Sequence, residues 1–349
     1  MLVEGCNLKY GAPATFKNVS HARPADSPED IPPLLLSMPG SGNTFLRILL
    51  EHATGHLTGS IYLGDKELQW VFKGETSCAR SNSVIKSHPA DLIISGALNS
   101  WNTPAIKGDT RKKLRGRDRK MRVKCGRGNI QYFPRAVILV RDPLKSILSD
   151  FQRVATQSHV GSVSLDKTQR SNIKAVRRPL KSLNLTAFWL LNAMDQARAY
   201  RQSMREILQP LLSSPHPDHP DLDVAIHLVR FEDLIAKETR YATLSSLLQF
   251  VVPDAEVNQE RMRCAYYAID TAEMRREKSL LDFKEMYNTI YPPLVCDVWN
   301  HTREFALAFG YVATPNAAYK TLQQQCDLNL ISNPKPNLHR HNRPAAARL

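Results

Sequence analysis

Four short apolar runs, each ended abruptly by glycine, proline or charge, constrain the fold of this chain more than any other feature. They occupy residues 34–38, 83–86, 136–140 and 224–229. Runs of this length that are rich in aliphatic and β-branched residues are typical of buried strands. Helical spacing of apolar residues follows the first run and recurs between residues 183 and 207. Strands alternating with helices predict an α/β domain, a three-layer P-loop-like fold whose central parallel sheet is flanked by helices.

The chain is long enough for one large domain with irregular ends. Of its 349 residues, 42% are hydrophobic, which is enough for a sizeable core. Residues 1–30 predict an irregular lead-in, residues 31–312 the main domain, and residues 313–349 a disordered tail. A basic insertion covers about residues 104–133. Within it, residues 107–124 carry ten Lys or Arg side chains, so we expect an exposed loop there.

The charge balance narrows the class of partner. Lys and Arg together number 47, whereas Asp and Glu number 33. This excess favours polyanions such as phosphorylated cofactors or acidic glycans, although its sign does not choose among them. The basic run at 107–124 has no interleaved aromatic residues, which argues against specific nucleic-acid binding. Because no segment has 18 uninterrupted apolar residues and no basic region precedes an apolar run at the N-terminus, we expect neither a membrane span nor a signal peptide.

The cysteines and glycosylation sequons leave the compartment open. The six cysteines are Cys6, Cys78, Cys125, Cys264, Cys296 and Cys326. They lack the close pairs that zinc sites need, so no structural metal is expected. Disulfides and free thiols are both compatible with such spacing. Sequons begin at Asn18, Asn184 and Asn300, but the pattern is short enough to arise by chance.

The loop at residues 39–44, which follows the first apolar run, carries the first chemical signal. Gly40 and Gly42 allow the backbone to approach a ligand closely, and Asn43 and Thr44 open a helix whose N-terminal amides attract anions. The loop therefore predicts a phosphate cradle. A nucleotide triphosphatase P-loop has a lysine after its last glycine, where this chain has Asn43, so an ordinary kinase or GTPase is disfavoured.

Two other strand ends add polar side chains to this picture. Arg141 ends the third apolar run, and Ser149 follows it in a segment that Pro143 can begin as a helix. Ser149 would then lie about two turns along the helix and face back toward the strand end. Both side chains could grip one phosphate. His88 follows the second run, where an imidazole could accept a proton from a substrate.

In this order and spacing, the motifs resemble those of the sulfotransferases that use 3′-phosphoadenosine-5′-phosphosulfate (PAPS). That family carries a first-strand loop of the form Y-P-K-S-G-T-T-W and a later R-x-P-x(5)-S motif, matched here by residues 38–45 and 141–149. The segment S-M-P-G-S-G-N-T-F-L-R at residues 37–47 is similar to the subgroup that includes WSC-domain-containing sulfotransferases, where P-G-S-G-N-T-W-L-R is typical. The resemblance spans roughly residues 34–311, which is most of the chain.

The resemblance implies which residues hold the 5′ side of the nucleotide. Those expected at the 5′-phosphosulfate are Gly40, Ser41, Gly42, Asn43 and Thr44. Phe45 would lie beside the adenine. Phe231, in a segment that matches the family pattern Y-E-D-L, would line the nucleotide pocket.

A second group is implied at the 3′-phosphate. Arg141 and Ser149 would bind it directly, since they match the two fixed positions of the second motif. Arg275 and Arg276 resemble the final basic clamp of the family, although they would fit a solvated helix face equally well. No metal is required by this arrangement.

The resemblance also implies the catalytic groups. His88 in K-x-H would be the general base that takes the proton of an acceptor hydroxyl. The chain departs from the main family at Gly40, where that family has a lysine beside the leaving group. Lys86 and Arg47 are the candidates to supply the missing charge, and we rank Lys86 first because it lies at a strand end.

The resemblance thus implies an enzyme that transfers the sulfuryl group of PAPS to an acceptor hydroxyl. The acceptor would be a carbohydrate or glycoconjugate, and acidic glycans are among the candidates. Two alternatives remain: a catalytically silent glycan- or nucleotide-binding protein of the same fold, and a P-loop nucleotide kinase. Family resemblance implies the Golgi lumen or membrane, whereas a complete chain without a membrane span would fit a soluble or cytoplasmic protein. The sequence does not fix the oligomeric state.

Overall fold

The described part of the chain comes from a computed structural model. It comprises residues 31–62, 66–79, 81–89, 122–124, 130–156, 185–209, 224–253, 258–269, 292–311 and 326. Within these ranges, no helix has both the length and the apolar character needed to cross a bilayer.

Strands and helices alternate along the chain as the sequence predicts. The strands are β1 (Leu34–Ser37), β2 (Gly59–Ser60), β3 (Ile85–Ser87), β4 (Arg122–Lys124), β5 (Ile130–Tyr132), β6 (Arg135–Val140) and β7 (Ala225–Arg230). The helices are α1 (Asn43–Thr54), α2 (Lys66–Val71), α3 (Pro143–Thr156), α4 (Leu185–Ser203), α5 (Phe231–Ile235), α6 (Lys237–Val251), α7 (Gln259–Ala268) and α8 (Pro292–Ala308). A π-helical turn, Met204–Leu208, continues α4.

In the described residues, five strands form one parallel sheet in the order β2-β3-β1-β6-β7. The central strand β1 pairs with β3 on one side and with β6 on the other. The chain therefore leaves β1 in one direction for β2 and β3 and later in the opposite direction for β6 and β7. Such a reversal opens a crevice at the carboxyl ends of the central strands, where open α/β sheets bind their ligands.

Helices cover both faces of this sheet. Leu34 and Leu36 point to a core completed by α3, α4 and α8, whereas Leu35 points to a core completed by α1, α6 and α7. All three leucines are fully buried. Alternate side chains of one strand thus enter two different cores, which explains why β1 is apolar throughout. The predicted three-layer α/β fold with a central parallel sheet is confirmed.

Local sequence signals account for the ends of the elements that lead to the site. Pro143 begins α3, where its fixed φ suits the first helical position and its missing amide costs nothing. Gly55 ends α1 in the left-handed conformation, with φ of 71°, and donates its amide to the carbonyl of Glu51. The second apolar run, at 83–86, yields only the three-residue strand β3, because the strand begins at Ile85, one residue after Val84.

One predicted loop is partly ordered as a strand. Residues 122–124, at the end of the basic run expected to be an exposed loop, form β4 and pair antiparallel with β5. Pairing of the two segments satisfies their backbone hydrogen bonds, which the charge pattern did not indicate. The rest of that run and the predicted lead-in at 1–30 lie outside the described residues.

The cysteines in the described ranges are all oxidised, which the sequence had left undecided. Cys296 of α8 is bonded to Cys326, and Cys78 and Cys264 are also in disulfides. Cys326 falls within the predicted disordered tail, yet it is fully buried. The disulfide ties this residue to α8. The remainder of the predicted tail lies outside the described residues.

Candidate functional site

Four predicted site segments lie at the carboxyl edge of the sheet. The glycine loop follows β1, His88 follows β3, Arg141 follows β6 and Phe231 follows β7. Since β1 lies between β3 and β6, and β7 pairs with β6, these ends are neighbours. The fold brings together residues that are separated by up to almost two hundred positions in the sequence.

The two glycines of the loop are required by its conformation and by its packing. Gly40 has φ of 78° and Gly42 has φ of 95°, values that side chains disfavour. A Cβ atom at Gly40 would lie 2.1 Å from the carbonyl oxygen of Ser146 in α3, and one at Gly42 would lie 2.4 Å from the Phe231 ring. In this conformation the loop has no room for a lysine side chain at position 40, where the PAPS-dependent sulfotransferases that the sequence resembles have one.

The start of α1 leaves its first amides without a capping side chain. Gly42 is the N-cap residue, and no side chain forms a cap hydrogen bond there. The Nδ2 of Asn43 donates to Ser37 Oγ at 2.9 Å, while its Oδ1 is buried without a hydrogen-bond partner. Uncapped amides and the positive end of the helix dipole favour a bound anion at this point.

Ser41 lies against side chains of α3 and α4. Its hydroxyl lies 3.1 Å from Ser146 Oγ and 3.4 Å from the hydroxyl of Tyr200, and the residue is 1% exposed. Its amide donates to the carbonyl of Met38 at 3.1 Å. Burial raises the pKa of Tyr200, so the phenol keeps its proton and can donate within this cluster. The Ser41 hydroxyl therefore helps to hold the loop on α3 and α4, and its contact with a nucleotide stays a prediction.

Arg141 connects the loop with the strand end beside it. Its Nη1 donates to the carbonyl of Gly40 at 2.9 Å, and its guanidinium lies 4.6 Å from the centroid of the Phe231 ring. Burial lowers the pKa of this guanidinium, and the negative charge of Glu232 acts in the opposite direction. Its Nε is buried without a hydrogen-bond partner. Because arginine stays charged in proteins, Arg141 is a desolvated cation with a donor to offer.

Ser149 lies close to the same part of the loop. It is 8% exposed and belongs to the stretch of α3 that packs on Gly40, since Ser146 and Asp150 supply the backbone atoms nearest to that glycine. Arg141 and Ser149 therefore both adjoin Gly40, although from different elements. Their joint contact with a phosphate stays a prediction.

Two aromatic rings form a wall beside the start of α1. The centroids of Phe45 and Phe231 are 5.3 Å apart, and the rings meet edge to face. Gly42 lies against Phe231, and Thr44 is half-buried on the first turn of the helix. A planar ligand group could stack beside these rings while its anion meets the amides of α1.

His88 is anchored between β1 and β3. Its Nδ1 lies 2.6 Å from the carbonyl oxygen of Ser37, and its backbone amide donates to the hydroxyl of Tyr62 at 2.9 Å. A carbonyl only accepts hydrogen bonds, so Nδ1 carries the hydrogen of the neutral ring. The lone pair is then on Nε2, the atom that can take a proton.

The two candidates for the missing positive charge lie in different surroundings. Arg47 is fully buried, forms an ion pair with Glu75 and donates from Nε to Thr58 Oγ1 at 2.9 Å. The Nζ of Lys86 lies 3.6 Å from Glu75 Oε1 and 5.4 Å from the centroid of the Tyr62 ring. Lys86 is at the strand end beside His88, so its location suits a ligand contact better than that of Arg47. No motif or periodicity in the sequence pointed to Glu75 or Tyr62.

Two further predicted residues, Arg275 and Arg276, lie outside the described residues. Within the described ranges, no group of three or more His, Cys, Asp or Glu side chains is arranged to hold a metal ion.

Comparison with known proteins finds relatives but no solved template. The chain is similar to WSCD family members from Drosophila melanogaster and Drosophila pseudoobscura pseudoobscura, each 28% identical, and from Aedes aegypti, 27% identical. Each match extends over 249 residues and covers 71% of this chain but 58% of the relative. The chain thus matches less than two thirds of the length of these curated relatives. No family model and no solved structure matches it.

Proposed function

We propose that this chain is a PAPS-dependent sulfotransferase that acts on an acceptor hydroxyl. The observation that supports this most strongly is the convergence of an uncapped helix start, a partly buried arginine and an oriented histidine at one edge of the sheet. Each of the three is common in isolation. Their meeting at the switch point of a parallel sheet is the arrangement expected of a nucleotide-dependent transferase.

The residues at the loop fit the anionic end of such a nucleotide. The amides at the start of α1 would face the 5′-phosphosulfate, and the buried Nε of Arg141 offers a charged donor for a second phosphate. Phe45 and Phe231 would flank the base. When bound, PAPS supplies the sulfuryl group, which passes to the acceptor oxygen as the bond to the 5′-phosphate breaks, so a hydroxyl proton is released and negative charge develops on the departing phosphate.

His88 would take up the released proton at Nε2. The hydrogen bond between Nδ1 and the Ser37 carbonyl holds the tautomer in which Nε2 is basic. Tyr62 holds the His88 backbone through its hydroxyl, which limits movement of the ring away from the acceptor. Two hydrogen bonds from separate elements thus orient this base before any substrate arrives.

Lys86 would offset the charge on the departing phosphate. The loop cannot do so through a side chain at position 40, since Gly40 lies against the backbone of α3. Lys86 lies on β3, next to the strand that leads into the loop, at a position paired with Leu35. A cation held beside developing negative charge commonly lowers the barrier of such reactions more than any other single group.

The acceptor class and the compartment form the finer part of the proposal. The excess of basic residues favours an acidic glycan as acceptor. The disulfides at Cys78, Cys264 and Cys296 favour an oxidising compartment, such as the Golgi lumen.

The test is transfer of labelled sulfate from PAPS to a panel of neutral oligosaccharides, uronic-acid glycans and tyrosine peptides. We expect the His88→Ala variant to lose about two orders of magnitude in turnover with little change in affinity for adenosine 3′,5′-bisphosphate, as for a general base. His227→Ala is the matched control, since that ring stacks on Phe250 away from the loop. Unchanged turnover in His88→Ala would remove His88 from the mechanism, and bisphosphate binding without transfer to any acceptor would favour a silent binding protein.

A further inference from the structure

We infer that Glu75 is a positioning residue for Lys86, and that the two form, with Arg47, a buried charge cluster. This inference rests on the proposed function, because Lys86 matters only if a charged group leaves beside it. The three residues are far apart in the sequence and belong to α1, to the turn after α2 and to β3.

The carboxylate of Glu75 is enclosed and faces a cation on each side. Its side chain is 0% exposed. Oε2 is paired with Arg47, and Oε1 lies 3.6 Å from the Nζ of Lys86. Burying a carboxylate beside two cations is much less costly than burying one without charged partners.

Arg47 fixes the carboxylate in one orientation. The guanidinium donates from Nε to Thr58 Oγ1 at 2.9 Å and from Nη2 to the Thr58 carbonyl at 3.2 Å. It also lies 3.8 Å from the centroid of the Phe72 ring. With Arg47 held by these contacts, the orientation of Glu75 is set from the interior, and the position offered to Lys86 is set with it.

Lys86 is the least buried member of the cluster and lies two residues before His88. Its side chain is 9% exposed, whereas those of Arg47 and Glu75 are fully buried. Two cations share the Glu75 carboxylate, and burial raises the pKa of the neighbouring Glu51, which accepts from Thr58. Glu75 can therefore hold Lys86 near the strand end without cancelling the positive charge that a departing phosphate would meet.

Lys86 and His88 are also held by a common neighbour. Tyr62 stacks its ring beneath the Lys86 ammonium, at 5.4 Å from its centroid, and its hydroxyl accepts from the His88 amide. Glu75 and Tyr62 thus contact the lysine from different directions. This two-sided support is what positioning requires, since one contact alone would leave the flexible lysine stem free to rotate.

The test measures turnover of PAPS to adenosine 3′,5′-bisphosphate, with whichever acceptor of the panel reacts, and the affinity for the bisphosphate. We expect Lys86→Met to lower kcat about 100-fold, as for loss of one charge-stabilising donor. Glu75→Gln should lower kcat about tenfold while the bisphosphate affinity changes less than about threefold. In the Lys86→Met background, Glu75→Gln should lower kcat by less than about twofold further, because its effect passes through the lysine.

Additional variants separate positioning from support of the fold. Glu75→Gln removes the carboxylate that is paired with Arg47, which destabilises the fold; the Arg47→Met/Glu75→Gln pair removes both charges together. We expect this pair to restore thermal stability but not kcat. Glu75→Asp, which keeps the charge but retracts it by one methylene, should also fold with a lowered kcat. Glu260→Gln, at an exposed glutamate of α7, is the matched control and should change neither quantity.

The outcomes distinguish this inference from the function on which it rests. Additive losses in the Lys86→Met and Glu75→Gln variants, or recovery of kcat in the Arg47→Met/Glu75→Gln pair, would overturn the role of Glu75 while leaving the sulfotransferase proposal intact. Failure of the wild-type chain to bind the bisphosphate or to transfer sulfate would overturn both.

Discussion

The starts of α1 and α3 differ sharply, although both helices follow central parallel strands at the same edge of the sheet. At α1 the N-cap is Gly42, and no side chain caps the first turn. At α3, Asp142 Oδ1 accepts from the amides of Leu144 and Lys145 at 3.0 and 3.2 Å. One helix start has no capping side chain, whereas the other is capped by its own carboxylate.

Under the proposed function, this difference explains why an anion would bind at the start of α1 and not at the start of α3. The Asp142 carboxylate satisfies the amides of α3 and would repel a phosphate there. Its own amide donates to Glu232 Oε1 at 3.2 Å, which adds a second acidic group on that side. Under the proposed function, an incoming anion would therefore meet the amides of α1, beside Arg141, whose Nη1 donates to the carbonyl of Gly40.

The largest effect is expected from a substitution that displaces the glycine loop before α1. Gly40→Ala adds a Cβ that would lie 2.1 Å from the Ser146 carbonyl oxygen, at a φ of 78°. The loop must leave α3, and we expect at least about a 100-fold loss of affinity for adenosine 3′,5′-bisphosphate, equivalent to about 2.7 kcal/mol, by calorimetric titration. Gly310→Ala is the matched control, since Gly310 has φ of 73° but its nearest other heavy atom would be 3.9 Å away. Equal losses in both variants would show that backbone strain alone, and not the packing of the loop, is responsible.

A smaller effect is expected from removing the cation between the two helix starts. Arg141→Ala should weaken bisphosphate binding by about 2 kcal/mol, typical of a charge-assisted contact. Arg141→Lys should fall in between, because lysine keeps the charge but not the planar fork. Arg198→Ala, at an arginine whose side chain is 59% exposed on α4, should leave the affinity unchanged. If Arg141→Ala binds the bisphosphate as tightly as the wild-type chain, the anion does not lie between the two helices.

The smallest effect is expected from uncapping the second helix. Asp142→Ala should lower the free energy of unfolding by about 1 kcal/mol, the usual cost of losing an N-cap, measured by chemical denaturation. Asp195→Ala, at an aspartate whose side chain is 77% exposed, should cost much less. Bisphosphate affinity should be retained in Asp142→Ala. Its loss in a folded variant would make the start of α3 part of the site and contradict the contrast with α1.

The main strands and helices could be predicted from sequence patterns, because these patterns reflect interactions between residues that are close in the sequence. The apolar runs before Pro39 and Arg141 predicted β1 and β6, and Pro143 predicted the start of α3, since burial and φ restriction act within a few residues. The loop and the strand-end residues could be placed at one edge for the same reason, because parallel strands share their carboxyl ends.

The details of the site depended on contacts between distant segments and were not predictable. Gly40 and Gly42 have positive φ, and the Ser41 hydroxyl between them lies 3.4 Å from the hydroxyl of Tyr200 in α4. Glu75 lies in a short turn without periodicity, and only the fold brings it between Arg47 and Lys86. Cysteine pairing likewise has no signature in spacing alone.

The most direct test of the proposed site is a calorimetric comparison of two nucleotides on the wild-type chain. Adenosine 3′,5′-bisphosphate carries both phosphates that the α1 start and Arg141 would hold, whereas adenosine 5′-monophosphate carries only the first. We expect the bisphosphate to bind at least about tenfold more tightly, which corresponds to about 1.4 kcal/mol for the added contact. Equal affinity for the two nucleotides, or no binding of either, would contradict the claim that this edge of the sheet is a PAPS site.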